Sequence, residues 1–155
     1  MNKHMKLPSA ALRGFYRITL AALLMPLAGH ATLAAEISVI AGDRIEVEGR
    51  DIHLWGVRAP EADAMCHGNG QGEPCAKVSR RLLEALIGKD EVICIVKDGR
   101  PDKPVSAQCS VDGADLGHLM ITSGWATDDR AESAGFYELL EQAARTERVG
   151  MWKYR

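Results

Sequence analysis

Two acids bracket the stretch AGDRIEVEGRDIHLWGVRAPEAD, residues 41–63: Asp43 near its start and Glu61 near its end. Carboxylates in such places can hold a hard divalent cation or activate a water. A cation site needs further oxygen ligands, yet Arg44 and Arg58 stand where more acid would be expected. His53, between them, is a donor when protonated and a base when neutral. Each residue also has a plainer role. Asp43 suits a turn after glycine, Glu61 an ion pair or loop cap, and His53 the outward face of a strand. Further along, Arg100 and Lys103 offer phosphate contacts, or are merely solvated loop cations. Trp55, Trp125 and Trp152 are assigned to core or rim packing.

The elements that must position these residues are legible. EISVI and RIEVEG run in strand fashion around Ala41-Gly42-Asp43, and Glu48-Gly49-Arg50-Asp51 turns the chain into IHLWGV. Ile45 and Val47 share one face, as do Ile52 and Leu54, so the three strands form a meander with one buried side. Residues 61–75 form a loop rich in Gly and Cys. Val78, Leu82, Ala85 and Leu86 recur at helical spacing, with Gly88 just past the end. EVICIVK and VSAQCSV are two more strands, and helices are expected near 76–87, 114–123 and 134–149. Three strands, a helix, two strands and two helices suit a small five-stranded barrel of the OB type, from Glu36 to about Val111. No parallel strand pair is expected.

The first 35 residues look like a cleaved export signal. Lys3, Lys6, Arg13 and Arg17 precede the apolar run Ile18 to Leu27, and AGHATLAA supplies small residues for cleavage. The run is too short for a permanent span, which needs about 20 residues. The expected organisation is a signal peptide at 1–35 and one domain at 36–155, periplasmic or secreted, without a permanent membrane anchor and monomeric. The whole chain has net charge −2, and removing four cations and no acid leaves −6. An acidic domain is a poor match for a partner gripped through phosphates. Cys66, Cys75, Cys94 and Cys109 all lie in the mature part. An even count in an exported chain favours disulfides over zinc, and three pairings are open.

Taken together, GDRIEVEGRDIHLWGVRAPE, a Cys pair ahead of AKVSRRLLEALIG, VICIV, AQCSVDGADLGHLMITSGWA and a terminal GMW resemble the thermonuclease family, the staphylococcal-nuclease-like domain. The resemblance spans essentially the whole mature chain. It implies a five-stranded OB barrel with three helices and, in active members, calcium-dependent hydrolysis of DNA and RNA phosphodiesters. The expected cysteine pairing follows the order of the elements. Cys66–Cys75 clamps the loop after Glu61, and Cys94–Cys109 joins neighbouring antiparallel strands.

The resemblance breaks at the site. Active relatives read Asp-Gly-Asp-Thr where this chain has Ala41-Gly42-Asp43-Arg44, so Asp43 is the one carboxylate kept there. His53 replaces a phosphate-binding arginine. Asp-Ala-Pro-Glu becomes Arg58-Ala59-Pro60-Glu61, which turns a metal-binding aspartate into Arg58 and keeps the water-activating glutamate as Glu61. The second phosphate arginine falls on Pro104, beside Lys103. The base-stacking tyrosines have no counterpart, and TDDRAES stands in their place. Unit charges about 4 Å apart interact by about 4 kcal/mol at an effective dielectric of 20. Exchanging a ligand carboxylate for arginine therefore cancels an affinity of millimolar class. Each lost transition-state donor lowers the rate by about 10²–10³. The sequence thus predicts an eroded nuclease site without a cofactor, calcium being bound only if the family activity is retained. Arg58, with Arg44, is expected to take the cation's place and pair with Asp43 and Glu61. The partner stays unspecified, and accessory roles in the envelope, including cell-surface polysaccharide production, are the alternatives to weak hydrolysis.

Overall fold

The computed structural model describes residues 36–66, 72–99 and 104–154. The expected leader, Arg100 and Lys103 lie outside them. β1 (Ile37–Ala41), β2 (Arg44–Val47) and β3 (Arg50–Leu54) form the meander, turning at Gly42-Asp43 and at Glu48-Gly49. φ is positive at both Glu48 and Gly49, the two-residue turn whose twist matches that of the strands it joins. The third predicted strand breaks at Trp55-Gly56 and resumes as β4 (Val57–Arg58). The loop after Glu61 carries a short ladder, β5 (Met65–Cys66) against β6 (Glu73–Pro74), and the Cys66–Cys75 disulfide ties it to the start of α1 (Cys75–Ile87).

β7 (Val92–Asp98) and β8 (Val105–Val111) are an antiparallel pair in which Cys94 faces Cys109, and these two are bridged. The sheet runs in the order β1-β2-β3-β8-β7 and curls as an OB-type barrel. One pairing departs from expectation. β3 and β8 run parallel, with Ile52 beside Val105 and His53 beside Ser106. The β7–β8 hairpin returns after α1, and its second strand, not its first, docks on the meander.

β9 (Ala114–Asp115) leads into α2 (Leu116–Thr122), whose first turn is capped by the Asp115 carboxylate accepting from Gly117 and His118 N–H. β10 (Thr127–Asp128) pairs with β4. A short helix that the sequence did not suggest, α3 (Arg130–Ser133), ends at Ala134 and Gly135, both at positive φ. The third predicted helix, expected near 134–149, is α4 (Glu138–Thr146), followed by a 3₁₀ turn at Gly150–Tyr154. The core gathers Ile45, Leu54, Leu83, Ala107, Met120 and Tyr137, among others. The fully buried stripe of α1 is Cys75, Ser79, Leu83 and Ile87, one position on from the spacing read in the sequence; Ala85 is exposed.

Candidate functional site

Asp43 occupies the β1–β2 turn because Gly42 lets that turn press on α1. A Cβ at Gly42 would lie 1.8 Å from Ser79 Oγ, which itself donates to the Trp125 carbonyl at 2.7 Å. The turn therefore seats directly on the helix, and Asp43 Oδ2 accepts the Ala59 N–H at 2.8 Å. The same oxygen stands 3.7 Å from His53 Nε2, and His53 Nδ1 stands 3.5 Å from Glu132 Oε2. At these distances the contacts are electrostatic rather than hydrogen bonds.

Glu132 is fixed from behind, since its Oε2 accepts the Gly56 N–H at 2.8 Å. Gly56 closes the pairing from its other side, its carbonyl accepting the Asp129 N–H at 2.9 Å. Gly56 has φ +70, and a Cβ there would lie 2.8 Å from Ser133 Cβ, so only glycine lets α3 come this close. Asp129 caps α3 through Oδ1, while its Oδ2 accepts from Arg58 Nη2 at 2.6 Å. Asp129 and Glu132 have the Asp-x-x-Glu spacing of a capping box, but here Glu132 reaches across to β3 rather than back to its own helix start.

The arrangement corrects the expected ion pairing. Arg58 pairs with Asp129, and Arg44 lies 3.6 Å from Asp51 on the neighbouring strand. Asp43 is matched by His53. The cause is the β4–β10 ladder, which places Thr127 opposite Arg58 and brings Asp129 within its reach. Glu61 is exposed at the rim of the site, and its charge, like that of Asp43, acts on Arg58 behind the direct pairing with Asp129.

Charge follows from this packing. The Asp43 carboxylate raises the pKa of His53 above its ordinary value, opposed by burial and assisted by Glu132. For Asp43, burial acts upward, but His53 and the Ala59 N–H outweigh it and hold the carboxyl below its ordinary range. His53 thus stands between two carboxylates that favour its protonated form and would compete for it with an approaching phosphate.

Two clefts meet at Arg44, His53 and Asp129. One, of about 630 Å³, also takes in Ala41, Asp43, Arg58 and Glu61; the other, of about 670 Å³, takes in Trp55, Lys97, Pro104 and Ser106. The structure therefore brings Ala41, Asp43, Arg44, His53, Arg58 and Glu61 to one cleft and Pro104 to its neighbour. Asp129 and Glu132 are the site residues that sequence reasoning missed, and the capping-box spacing in DDRAE was the available signal. A divalent cation does not fit this donor set. Asp43 is committed to a backbone N–H and to His53, Arg58 brings a positive charge, and no group of three or more His, Cys, Asp or Glu among the described residues could hold a metal.

The family model for the staphylococcal nuclease homologue matches residues 51–154. The chain is also 30% identical over 152 residues to the succinoglycan biosynthesis protein ExoI of Rhizobium meliloti (strain 1021), an alignment covering 96% of this chain and 80% of that one.

Proposed function

The chain belongs to the staphylococcal nuclease homologue family, and we propose that within it this protein binds rather than hydrolyses. The observation carrying this reading is the engagement of His53 by Asp43 and Glu132, with Arg58 engaged by Asp129. Phosphoryl chemistry depends on positioned cationic groups free to follow charge as it develops. Here the imidazole at the phosphate-arginine position already faces two carboxylates, and a second arginine is replaced by Pro104. Glu61 could still orient a water, but it has neither metal nor phosphate clamp to act with. A zymogram on DNA and RNA with calcium, magnesium or manganese tests the reading. No cleavage above the blank is expected, and robust calcium-dependent cleavage by the unmodified protein would overturn it.

An accessory role in cell-surface polysaccharide production is the biological setting we infer, supported by the similarity to a succinoglycan biosynthesis protein. The protein acts as a monomer in the periplasm or outside the cell. Two disulfides, with no free cysteine among the described residues, fit an oxidising compartment. No helix among the described residues is long and apolar enough to cross a membrane.

A further inference from the structure

We propose that the cleft lined by Arg44, His53, Trp55, Lys97, Ser106 and Glu132 binds a neutral saccharide chain. The inference rests on the non-catalytic reading above and names a ligand for the same face. At about 670 Å³ the cleft has the size of ordinary small-ligand sites.

Its floor carries an unmatched polar group. Ser106 lies beside His53 in the β3–β8 ladder and is only 5% exposed, yet its Oγ has no hydrogen-bond partner among the described residues. Buried hydroxyls are nearly always satisfied, so one without an internal partner calls for an external one. A hydroxyl both donates and accepts, which suits another hydroxyl.

The wall supplies the apolar half of sugar recognition. Trp55 is braced by Phe136 and Tyr137, with ring centroids 5.5 and 6.0 Å away, and the Lys97 ammonium lies 5.2 Å from its centroid. A tryptophan so held offers a rigid ring to the C–H face of a pyranose. Lys97 is exposed and can swing from the ring to donate to a sugar oxygen.

Charge selects between the two polymer classes that OB barrels take on this face, oligonucleotides and oligosaccharides. A polyanion needs uncompensated cations. Arg44 is near Asp51, His53 stands between Asp43 and Glu132, and Asp98, Asp129 and Glu132 line the cleft beside Lys97, so acidic and basic groups are mixed there. A mixed lining matches a polyol, whose every hydroxyl can donate or accept.

The test titrates the full, disulfide-intact chain with neutral hexasaccharides (cellohexaose, xylohexaose and β-1,3-linked laminarihexaose) and with hexathymidylate, following tryptophan fluorescence and heat. At least one hexasaccharide should bind saturably, with hexathymidylate at least tenfold weaker. Ser106→Ala should weaken saccharide binding about tenfold while leaving the melting temperature unchanged or slightly raised, because it removes an unpaired hydroxyl. Because Trp55 also packs on the core, Trp55→Phe is the milder second variant, and it should weaken binding by a similar factor. Binding by none of the saccharides, unchanged affinity in both variants, or preference for hexathymidylate would each overturn the proposal. A protein that binds no saccharide and cleaves no nucleic acid defeats this inference alone; one that cleaves defeats the proposed function.

Discussion

His53 Nδ1 lies 3.5 Å from Glu132 Oε2, the same oxygen that accepts the Gly56 N–H. This joins the outward face of β3 to α3, an element far along the chain. With Asp43 on the other ring nitrogen, the imidazole has a carboxylate at each end. Removing either carboxylate should lower the His53 pKa. Asp43→Asn should lower it more than Glu132→Gln, since Asp43 is the leading cause of the upward shift. Proton NMR titration of the His53 ring resonances reads this directly. A larger drop in Glu132→Gln would reverse the ranking of the two contacts.

Stability should depend on pH from both sides. His53 has a folded pKa above its unfolded value of about 6.5, so its contribution is complete below that value and is lost as pH rises through the folded pKa. Asp43 has a folded pKa below its unfolded value of about 3.9, so its contribution is present above that value and is lost as pH falls through the folded pKa. The melting temperature should hold a plateau between about pH 4 and 6.5 and fall on either flank. His53→Gln should flatten the alkaline flank and, because His53 helps hold the Asp43 carboxyl down, also shrink the acid one. An alkaline flank identical to that of the unmodified protein would remove His53 as its cause.

The barrel was legible because its strands carry a period of two and its turns carry glycine; Ile45 and Leu54 announced their own faces and are both buried. The parallel docking of β8 on β3 was not legible, because hairpin partners are set by adjacent sequence while β3 and β8 meet only in the assembled barrel. The same limit applies to the site. Arg58 and Asp43 lie close in sequence, and local charge reasoning paired them, but the β4–β10 ladder presents Asp129 to Arg58 instead. The short α3 was not legible, because four residues carry no apolar period; the Ala134-Gly135 stop after it also moves the start of the last helix from the expected 134 to Glu138.

Gly42 should tolerate no side chain. Gly42→Ala places a methyl 1.8 Å from Ser79 Oγ and 2.8 Å from Ser79 Cβ. Overpacking of this kind costs about 1–3 kcal/mol, and a urea melt should show a loss of that size. Adding Ser79→Ala removes the nearest atom but leaves the Cβ contact, so recovery should be partial. Because the turn carries Asp43, the single variant should also lower the His53 pKa. Wild-type stability in Gly42→Ala would mean the turn can lift from α1 without strain.

Calcium should not raise the melting temperature of the unmodified protein, because a ligand stabilises only the state it binds. Arg58→Asp together with Ala41→Asp adds two acids beside Asp43 and leaves Asp129 without its arginine. Without metal this variant should be less stable, since like charges then crowd the first cleft. Calcium at about ten times the dissociation constant of the new site should return about 1.4 kcal/mol. For a domain of this size that is a rise of roughly 3–6 °C. Cleavage should still be absent, because His53 and Pro104 supply no free phosphate donor. Restoring it takes His53→Arg and Pro104→Arg, and also Glu132→Gln, since a guanidinium at position 53 would otherwise be captured by the carboxylate now 3.5 Å from the imidazole. The order of events is the check: calcium-dependent melting first, then nuclease activity only when Glu132 is also neutralised. Full activity with Glu132 intact would show that this carboxylate does not restrain the cation at position 53.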